Sequence, residues 1–213
     1  MFVELTDILR CARDHEDSWL VLAATRTVDR HVVEGTLGCP VCGAEYPVRG
    51  GMADMRYGHD AAEGGEPSLG IPPGAHDERQ ELALRLAAYS GLAEPGGTVV
   101  VGGALSAVSS ELEQLTSVRV LSVNPPVPPP PGQSALACTG RLPLAKSSIR
   151  ALVLDSGAAA SLDLDAAVTA VRSGGRVVLP ATIPLPQGLT ELASDDEWRV
   201  AERAAPTITL KRA

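Results

Sequence analysis

The stretch TLGCPVCGAEYPVRGGMADMRY, residues 36–57, decides how the first part of the chain is read. Cys39 and Cys42 are separated by two residues and followed by Gly43. A glycine there permits the backbone turn that aims both sulfurs at one ion. Such a knuckle supplies two ligands, and a tetrahedral site needs a second pair. Upstream, the segment holding Cys11, Asp14 and His15 is the only good source. Cys11 is read as the third ligand and Asp14 as the fourth, with His15 as the alternative fourth ligand.

Working outward, the flanking pieces are short. Residues 5–9 suit a small helix, and residues 19–22, 31–34 and 46–48 suit strands. They are too small to bury a core alone, and a bound metal would supply the missing stability. A first domain is therefore placed at residues 1–57. Residues 58–76 hold a cluster of glycines and prolines with no hydrophobic period and are read as a linker.

From residue 77 onward the pattern changes. Asp77 and Gln80 look like a capping box, Leu82, Leu86 and Tyr89 share a helix face, and Gly91 ends it. Residues 98–101 are an apolar run bounded by glycine, as in a buried parallel strand. Leu105, Val108, Leu112 and Leu115 make a helical stripe, and residues 118–123 a second strand. Six prolines in residues 125–131 form an extended loop. Residues 134–138, 149–154 and 176–179 read as strands. Asp163 or Asp165 caps a helix that Gly174 and Gly175 end, and a short helix is expected near residues 187–193. Residues 198–203 and 207–212 are expected to pair as an antiparallel hairpin. The order implies an α/β sheet with right-handed crossovers, occupying residues 77–213.

Composition narrows the function classes. The 213 residues are 45% hydrophobic but only 3% aromatic, so the core must be aliphatic. The net charge of −8 argues against a phosphate-binding footprint. Residues 1–60 alone carry 6 basic and 10 acidic residues, opposite to what a nucleic acid needs. No signal peptide or membrane-length apolar run is visible, so a cytoplasmic protein with no membrane contact is expected. In a reducing compartment the three knuckle-type cysteines read as metal ligands, whereas Cys138, alone on a strand, reads as a buried hydrophobe. His31, His59 and His76 read as surface residues, and Asp155, after a strand, as a turn or helix cap.

Two family resemblances follow from these residues. Residues 5–11 together with Glu34 to Gly51, including the Tyr46-Pro47-Val48 phrase, resemble the small zinc-ribbon family that activates partner methyltransferases. That family usually has a second cysteine where Asp14 stands here. The resemblance implies a zinc ion and a partner protein, or a second copy, reached through the ribbon. The second resemblance covers residues 77–213. The Gly91 to Ala104 segment, the Leu142-Pro143-Leu144 phrase and the Ala166 to Leu179 helix–glycine–strand run are similar to class I S-adenosylmethionine methyltransferases. It implies a mostly parallel Rossmann-type sheet with a reversed last strand.

In that family three strand ends hold the cofactor, and the matching positions here are Gly102, Gly103 and Asn124, with Thr139 and Gly140 at the third. The glycine loop lacks its acidic neighbour. Asn124 stands where a carboxylate would accept the ribose hydroxyls, and no acidic residue follows the third strand. Each hydrogen bond to a charged acceptor contributes roughly 1.5–3 kcal/mol. Losing two or three weakens binding by several powers of ten, since about 1.4 kcal/mol is tenfold. The expectation is a non-catalytic, methyltransferase-like binding or regulatory module. The alternative is an active S-adenosylmethionine-dependent methyltransferase on a small molecule with a rebuilt pocket.

Overall fold

The computed structural model describes residues 1–56 and 76–205. Four strands open the chain: β1 (Val21–Val28), β2 (His31–Gly38), β3 (Glu45–Arg49) and β4 (Met52–Asp54). They form an antiparallel meander. Two-residue turns join β1 to β2 and β3 to β4, with positive φ at Asp29 and Arg30 and at Gly50 and Gly51. That conformation matches the right-handed twist of the flanking strands. A Cβ on Gly51 would fall 2.9 Å from the Met1 nitrogen, so the position needs glycine.

The remainder runs α1 (His76–Tyr89), β5 (Thr98–Gly102), a 3₁₀ segment (Gly103–Val108), α2 (Ser109–Thr116), β6 (Arg119–Val123) and β7 (Ser134–Ala137). It continues with β8 (Ile149–Leu154), α3 (Ser156–Ser161), α4 (Leu164–Ala167), β9 (Val171–Pro180), β10 (Leu189–Ser194) and β11 (Trp198–Arg203). The eleven strands among the described residues join one sheet in the order β1-β2-β3-β4-β7-β6-β5-β8-β9-β11-β10. The central pairs β7–β6, β6–β5, β5–β8 and β8–β9 are parallel. Only β11 is reversed among them, lying antiparallel between β9 and β10. This is a Rossmann-type, methyltransferase-like sheet preceded by a small β region.

Successive side chains of a strand point to opposite faces, and the central strands are buried on both. Val99, Val101, Val153 and Val178 face Leu86 and Leu112 of the two long helices. Val100, Leu152 and Val177 face the other cluster, which includes Leu5, Leu9, Val32, Leu37 and Val48 of the opening region. Residues of the opening region and of the later strands thus share one cluster. β4 adds to the edge of β7 in parallel, Met52 to Ala135 and Ala53 to Leu136. The chain entering Cys11 also pairs with the later region: Arg10 N–H donates to the Pro143 carbonyl at 2.9 Å, and Ala145 N–H to Ile8 at 2.8 Å. The connection 138–148 carries no helix, and Leu5 and Leu9 join Leu142 and Leu144 in the same cluster.

Several local expectations are corrected. The N-terminal helix is a 3₁₀ turn, Val3–Asp7. α1 starts at His76, which puts Asp77 inside its first turn rather than at the cap. The stripe from Leu105 to Leu115 is half 3₁₀ and half α. The helix expected to end at Gly174 stops sooner. Asp163 caps it through Ala166 N–H, and Val171 already pairs with Ile149. Gly174 and Gly175 instead lie in a bulge of β9, where a Cβ on Gly175 would sit 2.6 Å from the Arg150 carbonyl. The helix expected near 187–193 is β10, because pairing with β11 overrides the helix preference of its Leu, Glu and Ala residues. The hairpin partner of 198–203 is therefore β10. The expected strand 207–212, the linker up to residue 75 and His59 lie outside the described residues.

Candidate metal centre and carboxyl edge

The knuckle sits between β2 and β3. Cys39 N–H donates to the Ala44 carbonyl at 2.8 Å and Gly43 N–H to the Cys39 carbonyl at 2.9 Å, with φ +68° at Gly43. This tight turn brings Cys39 and Cys42 to one side. The arm that follows Leu9 brings Cys11 and His15 opposite them. Cys11 Sγ lies 3.7 Å from Cys42 Sγ, and Cys39 Sγ lies 3.5 Å from His15 Nε2. The four ligand atoms lie within 4.8 Å of one another. A tetrahedral zinc with bonds of about 2.0–2.3 Å separates its ligands by roughly 3.5–3.8 Å. Three thiols and an imidazole at these spacings fit that ion.

His15, the alternative to Asp14 in the sequence reading, is the residue whose ring nitrogen lies with the three sulfurs. Asp14 is exposed and outside the cluster. His15 is oriented by its Nδ1, 2.6 Å from the Glu16 carbonyl. With Nδ1 carrying the proton, Nε2 presents its lone pair inward. That carbonyl is the main cause of a raised His15 pKa, against an opposing effect of burial. Burial pushes the Cys11 thiol up. Burial also opposes ionisation of Cys39. The Cys42 and Val41 N–H groups and the Cys11 and Cys42 side chains outweigh it and bring that thiol down to about 6. Beside the cluster, the Tyr46 hydroxyl lies 3.1 Å from Cys11 Sγ. Cys138 is apart from this group, and burial pushes its thiol up to about 12.

The carboxyl ends of β5, β6, β7 and β8 present a different arrangement. Gly103 has φ +69°, and a Cβ there would collide with the Asp155 carboxylate. Asp155 accepts Ala104 N–H at 2.6 Å and Ala158 N–H at 2.7 Å, so it both caps α3 and fills the turn after β5. A Cβ on Gly102 would fall 2.5 Å from Leu154 Cδ2 and 2.8 Å from Ala158 Cβ, which shows how closely α3 packs on that turn.

Asn124 is equally engaged. Its Nδ2 donates to the Cys138 carbonyl at 2.8 Å and to Ser161 Oγ at 3.0 Å, and its Oδ1 accepts Cys138 N–H at 2.9 Å. Gly140 N–H donates to the Ser161 carbonyl at 2.8 Å, and Asp163 N–H to the Gly140 carbonyl at 2.6 Å. Gly102, Gly103 and Asn124 do converge on one edge, as their sequence positions imply. They are joined there by Asp155, read from the sequence as a turn or helix cap, and by Ser161, which no sequence signal marks. The Asp155 cap is legible from the small residues after it. Its contact with Gly103, 52 residues back along the chain, is not.

Among the described residues no helix is long and apolar enough to cross a membrane. Residues 3–51 match the model of the Trm112p-like protein family. No curated protein matches the chain. Among solved structures, a protein from Methanococcus maripaludis assigned as an S-adenosyl-L-methionine-dependent methyltransferase is 10% identical, with 62% of this chain and 87% of that one covered and a TM-score of 0.43. An S-adenosyl-L-methionine methyl transferase from Silicibacter pomeroyi is 13% identical, covering 60% and 96%, with a TM-score of 0.39. Geranyl diphosphate methyltransferase in complex with SAM is 17% identical, covering 47% of this chain and 48% of that enzyme, with a TM-score of 0.37. The matched part thus spans less than half of that enzyme. Residues 3–51 are thus similar to the Trm112p-like family, and the region that follows is a mostly parallel, Rossmann-type α/β sheet.

Proposed function

We propose that this protein is a non-catalytic, methyltransferase-like binding or regulatory module whose ribbon carries a structural zinc. The observation that carries this reading is the state of the carboxyl edge. The groups that would meet a nucleoside and its amino-acid tail are already bonded to one another through Asp155, Asn124 and Ser161. A cofactor would have to break several charge-assisted or buried hydrogen bonds before making its own, at about 1–3 kcal/mol for each group left unpaired. S-adenosylmethionine, when bound, would supply an electrophilic methyl group.

Zinc would be held by Cys11, His15, Cys39 and Cys42, leaving no open corner for a reacting water. Its role is to fix the knuckle to the arm. The ribbon docks on its own sheet, because β4 and β7 consume each other's edges. A partner protein or a second copy is left with β1 as the ribbon's open edge for strand addition.

Isothermal calorimetry with S-adenosylmethionine and its demethylated product tests the reading. The expected result is no heat of binding at millimolar ligand. Micromolar binding would overturn it in favour of an active methyltransferase. Metal analysis is expected to give one zinc per chain (the stoichiometry of a single four-ligand site). Zinc is expected to be lost in His15→Ala and retained in Asp14→Ala.

A further inference from the structure

We infer that Tyr46 is the positioning residue of the metal centre: its hydroxyl clamps the Cys11 arm onto the knuckle hairpin and hydrogen-bonds the Cys11 sulfur. This rests on the ligand set proposed above. Tyr46 lies on β3, just past the knuckle, opposite Leu37 on β2, and is 1% exposed. Its Oη sits 3.1 Å from Cys11 Sγ and accepts Ala12 N–H at 3.2 Å. With the oxygen already accepting from Ala12, its proton is free to point at sulfur. A ligating Cys11 is a thiolate and can only accept.

The geometry matters because the two ligand pairs come from distant parts of the chain. Cys11 and His15 ride on an arm without regular structure, while Cys39 and Cys42 sit on a hairpin turn. Tyr46 bonds both the sulfur of Cys11 and the backbone of the next residue, across 35 and 34 positions of sequence. It therefore fixes the arm before metal arrives and disperses thiolate charge afterwards. Partners of this kind that orient metal ligands commonly change metal affinity by about 10–100-fold when removed.

The test is Tyr46→Phe, which removes one oxygen and keeps the buried ring. Zinc affinity is measured by chelator competition, and the cobalt-loaded protein by absorption. Expected are at least about tenfold weaker zinc binding, unchanged stoichiometry, and a sulfur-to-cobalt charge-transfer band moved to lower energy. A purely structural role would not move that band. In the wild-type protein loaded with ¹¹³Cd, a slowly exchanging hydroxyl proton coupled to the metal through Cys11 is also expected, a measurement that needs no variant to fold. Unchanged affinity and an unmoved band would overturn the inference while leaving the ligand set intact. A wild-type chain that takes up no metal would overturn both.

Discussion

The metal cluster and the carboxyl edge of the sheet are both places where polar groups from distant parts of the chain meet, yet they are built on opposite logic. In the first, three sulfurs and a ring nitrogen converge at spacings that suit an ion, and their supporting bonds come from behind. In the second, each polar side chain points at a neighbour and has its partner already. A group ready for a ligand keeps a lone pair or proton aimed into common space. A closed site turns those same groups on each other. In the reading proposed above, the Rossmann-type outline stays while internal hydrogen bonds occupy the polar groups at its edge.

The comparison can be broken most forcefully at the metal. Cys39→Ser is expected to abolish zinc uptake, and zinc-dependent stability is large in small ribbons. Because the ribbon shares its core with the sheet, the whole chain should melt earlier, by on the order of 10 °C, in differential scanning calorimetry. A ribbon that melted separately, leaving the rest unchanged, would show two cores instead of one. Leu9→Ala probes the same seam. Leu9 is 1% exposed and bridges to Leu144, so truncation should cost about 2–5 kcal/mol in denaturant unfolding, within a single transition.

Asn124→Asp sharpens the other side. If the edge lacked only an acceptor for ribose, the carboxylate would restore cofactor binding. The bonds to the Cys138 carbonyl and Ser161 Oγ argue otherwise, since a carboxylate cannot donate to that carbonyl. The expected outcome is a loss of about 1–3 kcal/mol of stability and no gain in binding by calorimetry.

How much of this was legible in the sequence follows the range of the interactions. Ile149–Leu154 and the knuckle are local: a run of apolar residues, or two cysteines around a turn, states its own structure. β4 is not legible because Met52, Ala53 and Asp54 have no strand pattern of their own and are extended only by neighbours on both sides. β10 has the residues of a helix and is a strand for the same reason in reverse. At the metal, spacing allowed Asp14 and His15 alike, and only the direction of the bent arm separates them. The lock between Gly103 and Asp155 joins two strand ends and belongs to topology, not to any local phrase.

The smallest expected effect is one of pH. Asp195 accepts Trp198 N–H and Glu197 N–H, which hold its carboxyl below the ordinary value of 3.8. A depressed carboxylate stabilises the fold fully above its unfolded pKa, and that contribution is lost as pH falls through the folded one. Below about pH 4 the wild type should therefore lose stability slightly faster than Asp195→Asn in acid-titrated thermal melts. Equal slopes would remove this turn from the account.

The closed edge itself is tested most directly by NMR on ¹⁵N-labelled protein titrated with S-adenosylmethionine. The resonances to follow are the Ala104 and Cys138 amides and the Asn124 side-chain amide. They should stay in place up to millimolar ligand. Saturating shifts of these three groups at micromolar concentrations would contradict the account, because they would mean the bonds around Asp155 and Asn124 yield to a nucleoside.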